Sequence, residues 1–197
     1  SDLVEQRGPV RAVIRVEGKQ KSGARQWLPF TVRLYFYSGS AAVRVVHSFI
    51  FDGDEYKDFI RGLGLTGSVP MADEAFNRHV RFAGQDGGLW GEAVQPLTGL
   101  RRMPPAPYRT AQLAGLRTPP VSELAANIKD NLQFVPTWGD FSLSQPNADG
   151  FAITKRTKAG CGWIDVDTAG RAPGLGYVGS PSGGVAFGMK DFWQRPP

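Results

Sequence analysis

The stretch FTVRLYFYSGSAAVRVVHSFIF, residues 30–51, decides the fold class. Phe30, Val32, Leu34 and Phe36 alternate with Thr31, Arg33, Tyr35 and Tyr37, the period of two expected of a strand. Ser38-Gly39-Ser40 then reverses the chain into a second apolar run from Ala41 to Phe51, and so short a loop implies an antiparallel hairpin. The second run carries Val43, Val45, Phe49 and Phe51 on one side and Val46 and Ile50 on the other. A strand apolar on both faces needs cover twice, from a second layer and from something beyond it.

Working outward, the same pattern recurs along the chain. Val10, Ala12, Ile14 and Val16 alternate with charged residues, and Gly18 to Gly23 reads as a polar turn. Asp52-Gly53-Asp54-Glu55 turns the chain towards a strand expected around Phe59 to Val69. His79 to Ala83 and Leu89 to Val94 form a hairpin about Asp86-Gly87-Gly88. Residues 95–120, rich in Pro, Gly and Arg, form a long excursion. One helix is expected after Pro119-Pro120, capped by Ser122, with Val121, Leu124, Ala125, Ile128 and Leu132 as its apolar stripe. Strands resume near Phe141 to Leu143, Phe151 to Lys155, Gly176 to Val178 and Gly184 to Met189. The expectation is an all-β antiparallel sandwich with one short helix in a long excursion, and the mutarotase-like super-sandwich is a candidate form.

Composition agrees. With 197 residues, 41% hydrophobic and 21% charged, the chain suits one sizeable β-sandwich domain. Twenty-five glycines and fifteen prolines supply many turns. No apolar run is long enough for a membrane helix, and the first residues lack the basic start and apolar core of a signal peptide. The net charge of +5 is scattered rather than gathered into the basic face a nucleic acid needs. Cys161 stands alone, which excludes an internal disulfide and fits a cytoplasmic or an exported protein equally. Ser1-Asp2-Leu3 at one end and Asp191 to Pro197 at the other read as cuts through a longer polypeptide.

Several motifs reduce to structure when weighed. Gly62, Gly64, Gly67 and Gly174, Gly176, Gly179 both spell G-x-G-x-x-G, but neither copy opens a helix that would meet a phosphate. Asp52, Asp54, Glu55 and Asp58 lack the spacing of a calcium loop and read as a solvated turn. His47 shares the face of Val45 and Phe49 and reads as a core histidine. His79 shares a face with Asn77 and Arg81, where neighbouring arginines disfavour its charged form, so it is a candidate base or donor. Arg33 and Tyr35, with Arg44 across the hairpin, can hold a sugar by ring contact and a two-point grip on a carboxylate; cross-strand pairing explains them without any ligand and is the default reading. Among the tryptophans, Trp90 joins the candidate sugar contacts, and packing is the alternative for each. No catalytic triad, carboxylate pair or phosphate loop emerges, and the residues call for no cofactor or metal.

Four stretches carry a family resemblance: WLPFTVRLYFYSGSAAVRVVHSFIFDGDEYKDFIRGLG from Trp27, RHVRFAGQDGGLWGEAVQPLTGLRR from Arg78, FVPTWGDFSLSQPNADGFAITKRTKAGCGWI from Phe134, and GLGYVGSPSGGVAFGMKDFWQRPP from Gly174. Together they resemble the exo-rhamnogalacturonan lyase-like (YetA-like) proteins of polysaccharide lyase family 26. The resemblance implies the central β-sandwich of a larger protein with an N-terminal β domain and a C-terminal α/α toroid. It implies β-elimination of rhamnose–galacturonate linkages in pectin, with a uronic-acid-containing polysaccharide and the neighbouring domains as partners. For that chemistry Arg78, His79 and Arg81 are the expected contributors, with Arg61 and Tyr177 behind them. The alternatives are a carbohydrate-binding or scaffolding domain without catalysis, and part of a glycoside hydrolase.

Overall fold

The computed structural model describes residues 2–98 and 101–194. Of the two ends Ser1-Asp2-Leu3 and Asp191 to Pro197, Ser1 and residues 195–197 lie outside the described residues, as do Gly99 and Leu100 of the excursion. The chain divides into two compact units, the first running to Thr66 and the second starting at Gly67.

The first unit is an antiparallel meander in the order β1-β2-β3-β4, with β1 Asp2–Arg7, β2 Arg11–Ser22, β3 Arg25–Tyr37 and β4 Val43–Phe49. Ser22 pairs with Arg25, so β2 runs through the expected polar turn and the reversal narrows to Gly23-Ala24. Gly23 has φ 59°, the positive value a type II′ hairpin needs at its first loop position. Opposite Lys19 and Gln20 the ladder of β3 skips Leu28, a bulge residue at φ 47°. Leu28 is buried, and its N–H donates to Asp52 Oδ1 at 2.6 Å, so the first carboxylate of the acidic turn holds the bulge.

Register sorts this sheet into two unlike faces. Ala12, Ile14 and Val16 lie beside Phe36, Leu34 and Val32, which lie beside Val43, Val45 and His47. None of these residues is buried: Val43 is 44% exposed and Val45 38%. The other face is dressed with charge. Glu5 sits between Arg33 and Arg15, Arg15 also faces Glu17, and Tyr35 lies between Arg11 and Arg44. Val13, on this polar face, is nonetheless buried, as expected where long side chains lay their apolar stems along a sheet.

Ile50 to Glu74 contains no helix or strand. The strand expected around Phe59 to Val69 is therefore corrected: Gly62, Gly64 and Gly67 interrupt its apolar residues, and each has open space where a side chain would pack. Three glycines in six positions leave too little to pack against a partner strand.

The second unit is a two-layer sandwich. One sheet has the order β11-β10-β5-β6, with β5 His79–Ala83, β6 Leu89–Ala93, β10 Leu175–Ser180 and β11 Gly183–Gly188. The other has the order β7-β8-β9, with β7 Asp140–Asn147, β8 Gly150–Arg156 and β9 Ile164–Ala169. Val80, Phe82, Trp90 and Val178 from the first pack with Phe141, Leu143, Phe151, Ile153 and Val166 from the second, and Ile153 is wholly enclosed. Among the described residues all three sheets are antiparallel, and the two α-helices are short and lie between β6 and β7, so the protein is all-β as its alternation implies.

The helices fall differently from expectation. α1, Ala106–Ala114, carries Pro107 in its first turn and ends at Gly115, whose φ of 71° makes it the left-handed cap. The stretch from Val121 breaks into a 3-10 turn at Val121–Glu123, a single helical turn α2 at Ala126–Lys129, and a 3-10 turn at Leu132–Phe134. Leu124 and Ala125 between them are extended. Val121, Leu124, Ile128 and Leu132 do reach one apolar cluster, with Leu97 and Tyr108. Their burial was legible; continuous helix was not, because Asn127, Asp130 and Asn131 favour local backbone bonds, and Asn131 donates to the Asn127 carbonyl at 2.7 Å.

Candidate functional site

In β5, alternation sends Val80 and Phe82 into the sandwich and turns His79 and Arg81 to the opposite face. That face carries α1. His79 is only 5% exposed; its Nε2 lies 3.0 Å from the Gln112 carbonyl oxygen and its Nδ1 3.2 Å from that of Asn77. With a backbone acceptor at each nitrogen, the ring braces α1 against the sheet. Gln112 completes the brace: Oε1 accepts from Leu97 N–H at 2.6 Å, and Nε2 donates to the carbonyls of Phe76 and Gln95. Asn77 Oδ1 accepts from the N–H and hydroxyl of Thr118.

Arg78 is half-buried, and its Nε donates to the Asp73 carbonyl at 2.5 Å. The Asp73 carboxylate is itself buried, 2.6 Å from Arg117 and within hydrogen-bond reach of Ser182 N–H. Hydrogen bonds from Ser180 and Ser182, with Arg117 beside them, hold its carboxyl well below the usual carboxylate range. This cluster was absent from the sequence reading, since Asp73 and Ser182 lie far apart in the chain and no spacing signals their meeting.

Arg81 and Tyr177 are register partners on β5 and β10, both half-buried. Arg81 Nη2 donates to the Ala114 carbonyl at 3.2 Å, the last residue of α1. Gly91, opposite Arg81 on β6, leaves its stem room: a Cβ there would stand 3.0 Å from Arg81 Cγ. Gly179 and Gly184 do the same for the Tyr177 phenol, which a Cβ at either position would strike. The second glycine motif therefore belongs to a strand whose missing side chains make space for aromatic neighbours. Gly176 lies under Phe187 and Phe82 in the same way.

The structure thus puts His79, Arg81 and Tyr177 on one face of the second unit's sheet, with Arg81 and Tyr177 on its half-open part and His79 closed off, while Arg78, just before β5, is tied to the Asp73 carbonyl instead. Trp90 faces the other way. Its ring stacks on Phe82 at 6.0 Å and tilts against Phe141 at 6.0 Å, between the two layers. Arg61 lies in the irregular stretch of the first unit.

In the first unit, Arg33 grips a carboxylate at two points, but the carboxylate is Glu5, with Nε to Oε2 at 2.7 Å and Nη2 to Oε1 at 3.2 Å. Those bonds hold the Glu5 carboxyl below its usual range. Tyr35 is flanked by the Arg44 guanidinium, 5.5 Å from the ring centre, and by Arg11 at 5.8 Å, a flank the sequence reading missed. Arg11 lies diagonal to Tyr35 across the hairpin, a neighbour pairing rules alone supply. Among the described residues no group of His, Cys, Asp and Glu is placed to hold a metal ion, and no helix is long and apolar enough to cross a membrane.

A two-layer antiparallel sandwich with a helical excursion braced on one sheet defines the class, a β-sandwich domain, and a family model of such a domain matches the chain. That model is the PcRGLX-like protein central beta sandwich domain; it matches residues 1–197, and the chain belongs to this family. It is also similar to the uncharacterized protein YetA of Bacillus subtilis (strain 168), with 34% identity over 197 residues. That alignment takes in 98% of this chain and 23% of YetA, so the chain spans less than a quarter of its relative's length. The chain is the central domain of a multidomain family.

Proposed function

We propose that this domain is the sandwich of a polysaccharide lyase that cleaves rhamnose–galacturonate linkages by β-elimination, with Arg81 and Tyr177 facing the uronate. Family membership supports the substrate class, and the adjacency of Arg81 and Tyr177 on a half-open sheet face carries the assignment of roles. A uronate C5 proton leaves only when the developing charge on its carboxylate is stabilised, a task suited to the Arg81 guanidinium. Tyr177 Oη then moves the proton: the C5–H bond breaks, a C4–C5 double bond forms, and the C4–O bond opens as the leaving oxygen gains a proton. His79 acts through position, bracing α1 so that the Ala114 carbonyl aims Arg81. Arg78 serves the same end through Asp73.

The apolar face of the β1-β2-β3-β4 sheet supports a second element of the reading: it lies against another domain of the same polypeptide. A row of exposed valines and phenylalanines in the central domain of a longer chain fits such an interface. A non-catalytic sugar-holding role is favoured by Tyr35, whose ring between Arg11 and Arg44 presents an aromatic and two cations on an exposed sheet.

The full-length polypeptide, given rhamnogalacturonan oligomers, is expected to generate the ultraviolet absorbance of an unsaturated uronate. Cleavage without that absorbance would overturn the lyase reading in favour of a hydrolase. Absence of cleavage, with oligomers still bound, would favour the sugar-holding role.

A further inference from the structure

At the turn end of the sandwich in the second unit lies a cavity of ≈ 530 Å³, within the size range of small-ligand pockets. Its walls come from the β5–β6 hairpin tip, the β7–β8 turn, the β9–β10 connection, and Trp193. We infer that this cavity binds a neutral pyranose sugar, with Trp193 as the stacking surface and Arg171, Asp149 and Asp86 as the hydroxyl contacts.

The walls are fixed in advance. Asp86 (φ 54°, ψ 35°) and Gly87 (φ 79°) take the positive φ values of a type I′ turn, closed by Gly88 N–H donating to the Gln85 carbonyl at 2.9 Å. Gln85 then crosses to the next wall: its Oε1 accepts from Gly170 N–H at 2.8 Å, and its Nε2 donates to Asp86 Oδ2 at 3.2 Å. Buried Gln145 locks the same connection from behind, donating to the Gly170 carbonyl and accepting from Ala172 N–H. Phe192 packs against the sandwich core and so anchors its neighbour Trp193. Arg171 lies 4.3 Å from the Trp193 ring centre and donates to Asp149 Oδ1 from Nε at 3.0 Å and from Nη2 at 2.8 Å.

These groups select a ligand class. An aromatic face beside Ala172 and Pro173 suits a ring with one apolar side. Two carboxylates and a guanidinium around it suit hydroxyls, which both donate and accept. The carboxylates outnumber the guanidinium by one, which opposes an anionic ligand. A neutral pyranose meets all three conditions, whereas a uronate fails the last. The choice of a sugar over another ring with one apolar side rests on the carbohydrate reading under Proposed function. The site itself is distinct from the Arg81–Tyr177 face, because its groups come from turns at the strand ends.

The test is saturation-transfer NMR and titration of the full-length polypeptide with rhamnose, galactose, galacturonate and adenosine. Rhamnose or galactose is expected to bind, galacturonate at least about fivefold more weakly, and Trp193→Ala and Arg171→Met to weaken binding about tenfold. Tyr177→Phe is expected to leave this binding unchanged. An unchanged Trp193→Ala affinity, a preference for adenosine or galacturonate in the Trp193-dependent binding, or no binding by the folded wild type would overturn the site. Trp193→Phe, which keeps a ring, is expected to retain most of the affinity, so a folding defect is told apart from a lost contact. Neutral-sugar binding without lyase activity would sink the lyase reading alone. Lyase activity without Trp193-dependent binding would sink this site alone.

Discussion

Truncating Ile153 to alanine removes three carbons from the most enclosed point of the second unit's sandwich, where the side chain has no solvent exposure. Ile153 is flanked in register by Leu143 on β7, and its cluster includes Val80 and Phe82 from the opposite sheet. Transfer of three methylene-sized groups is worth about 2.4 kcal/mol at about 0.8 kcal/mol each. An unrelaxed cavity adds about 1 kcal/mol, giving about 3–4 kcal/mol in all. For a cooperative unit of roughly 130 residues that amounts to a fall of about 10–14 °C in melting temperature. Thermal unfolding followed by near-ultraviolet circular dichroism measures it. Ile14→Ala, on the half-buried face of the first unit's sheet, is the comparison, expected to cost about 1–2 kcal/mol. The packing of β5 and β8 into facing layers would be refuted by an Ile153→Ala shift under about 3 °C, or by one no larger than that of Ile14→Ala.

Gln112→Ala leaves Leu97 N–H and the carbonyls of Phe76 and Gln95 without their partner, and should cost about 2–4 kcal/mol by chemical denaturation; a loss under about 1 kcal/mol would show that the brace is dispensable. Asp58 is gripped by Arg25 at 2.7 and 2.6 Å and accepts from Asp54 N–H, which holds its carboxyl at about 2 against an ordinary 3.8. A depressed value means that the stabilisation is full above the ordinary value and lost as pH falls through about 2, so NMR titration should place the midpoint near 2; a midpoint at or above 3.8 would deny the pair. Val45→Lys should change the stability of the isolated chain by no more than about 0.5 kcal/mol, yet lower the melting temperature of the full-length polypeptide; equal effects in both would remove the proposed interface.

Alternation made most strands legible, because the sheets bury one face and the period of two survives in Phe30 to Phe36 and in His79 to Ala83. β9 escaped notice: in Ile164–Ala169 two aspartates and a threonine leave little apolar signal, and it is held by the β8 ladder and by Val166 in the sandwich core. α1 was hidden in a Pro-rich excursion, although Pro107 and Gly115 mark its two ends. The polar face of β5 was read correctly as His79 and Arg81, but the sequence carries no sign that α1 would close over the histidine. Arg33 shows a related blind spot. Its two-point grip was legible, while its partner Glu5 comes from β1, a strand whose short mixed sequence gave no reason to look there.

The β-elimination claim is met most directly by weighing the products of one cleavage. Mass spectrometry of a defined rhamnogalacturonan oligomer, treated with the full-length polypeptide, should give two fragments whose masses add up to the uncut substrate, since elimination takes up no water. Fragments adding up to the substrate plus one water would contradict the account and make the protein a hydrolase.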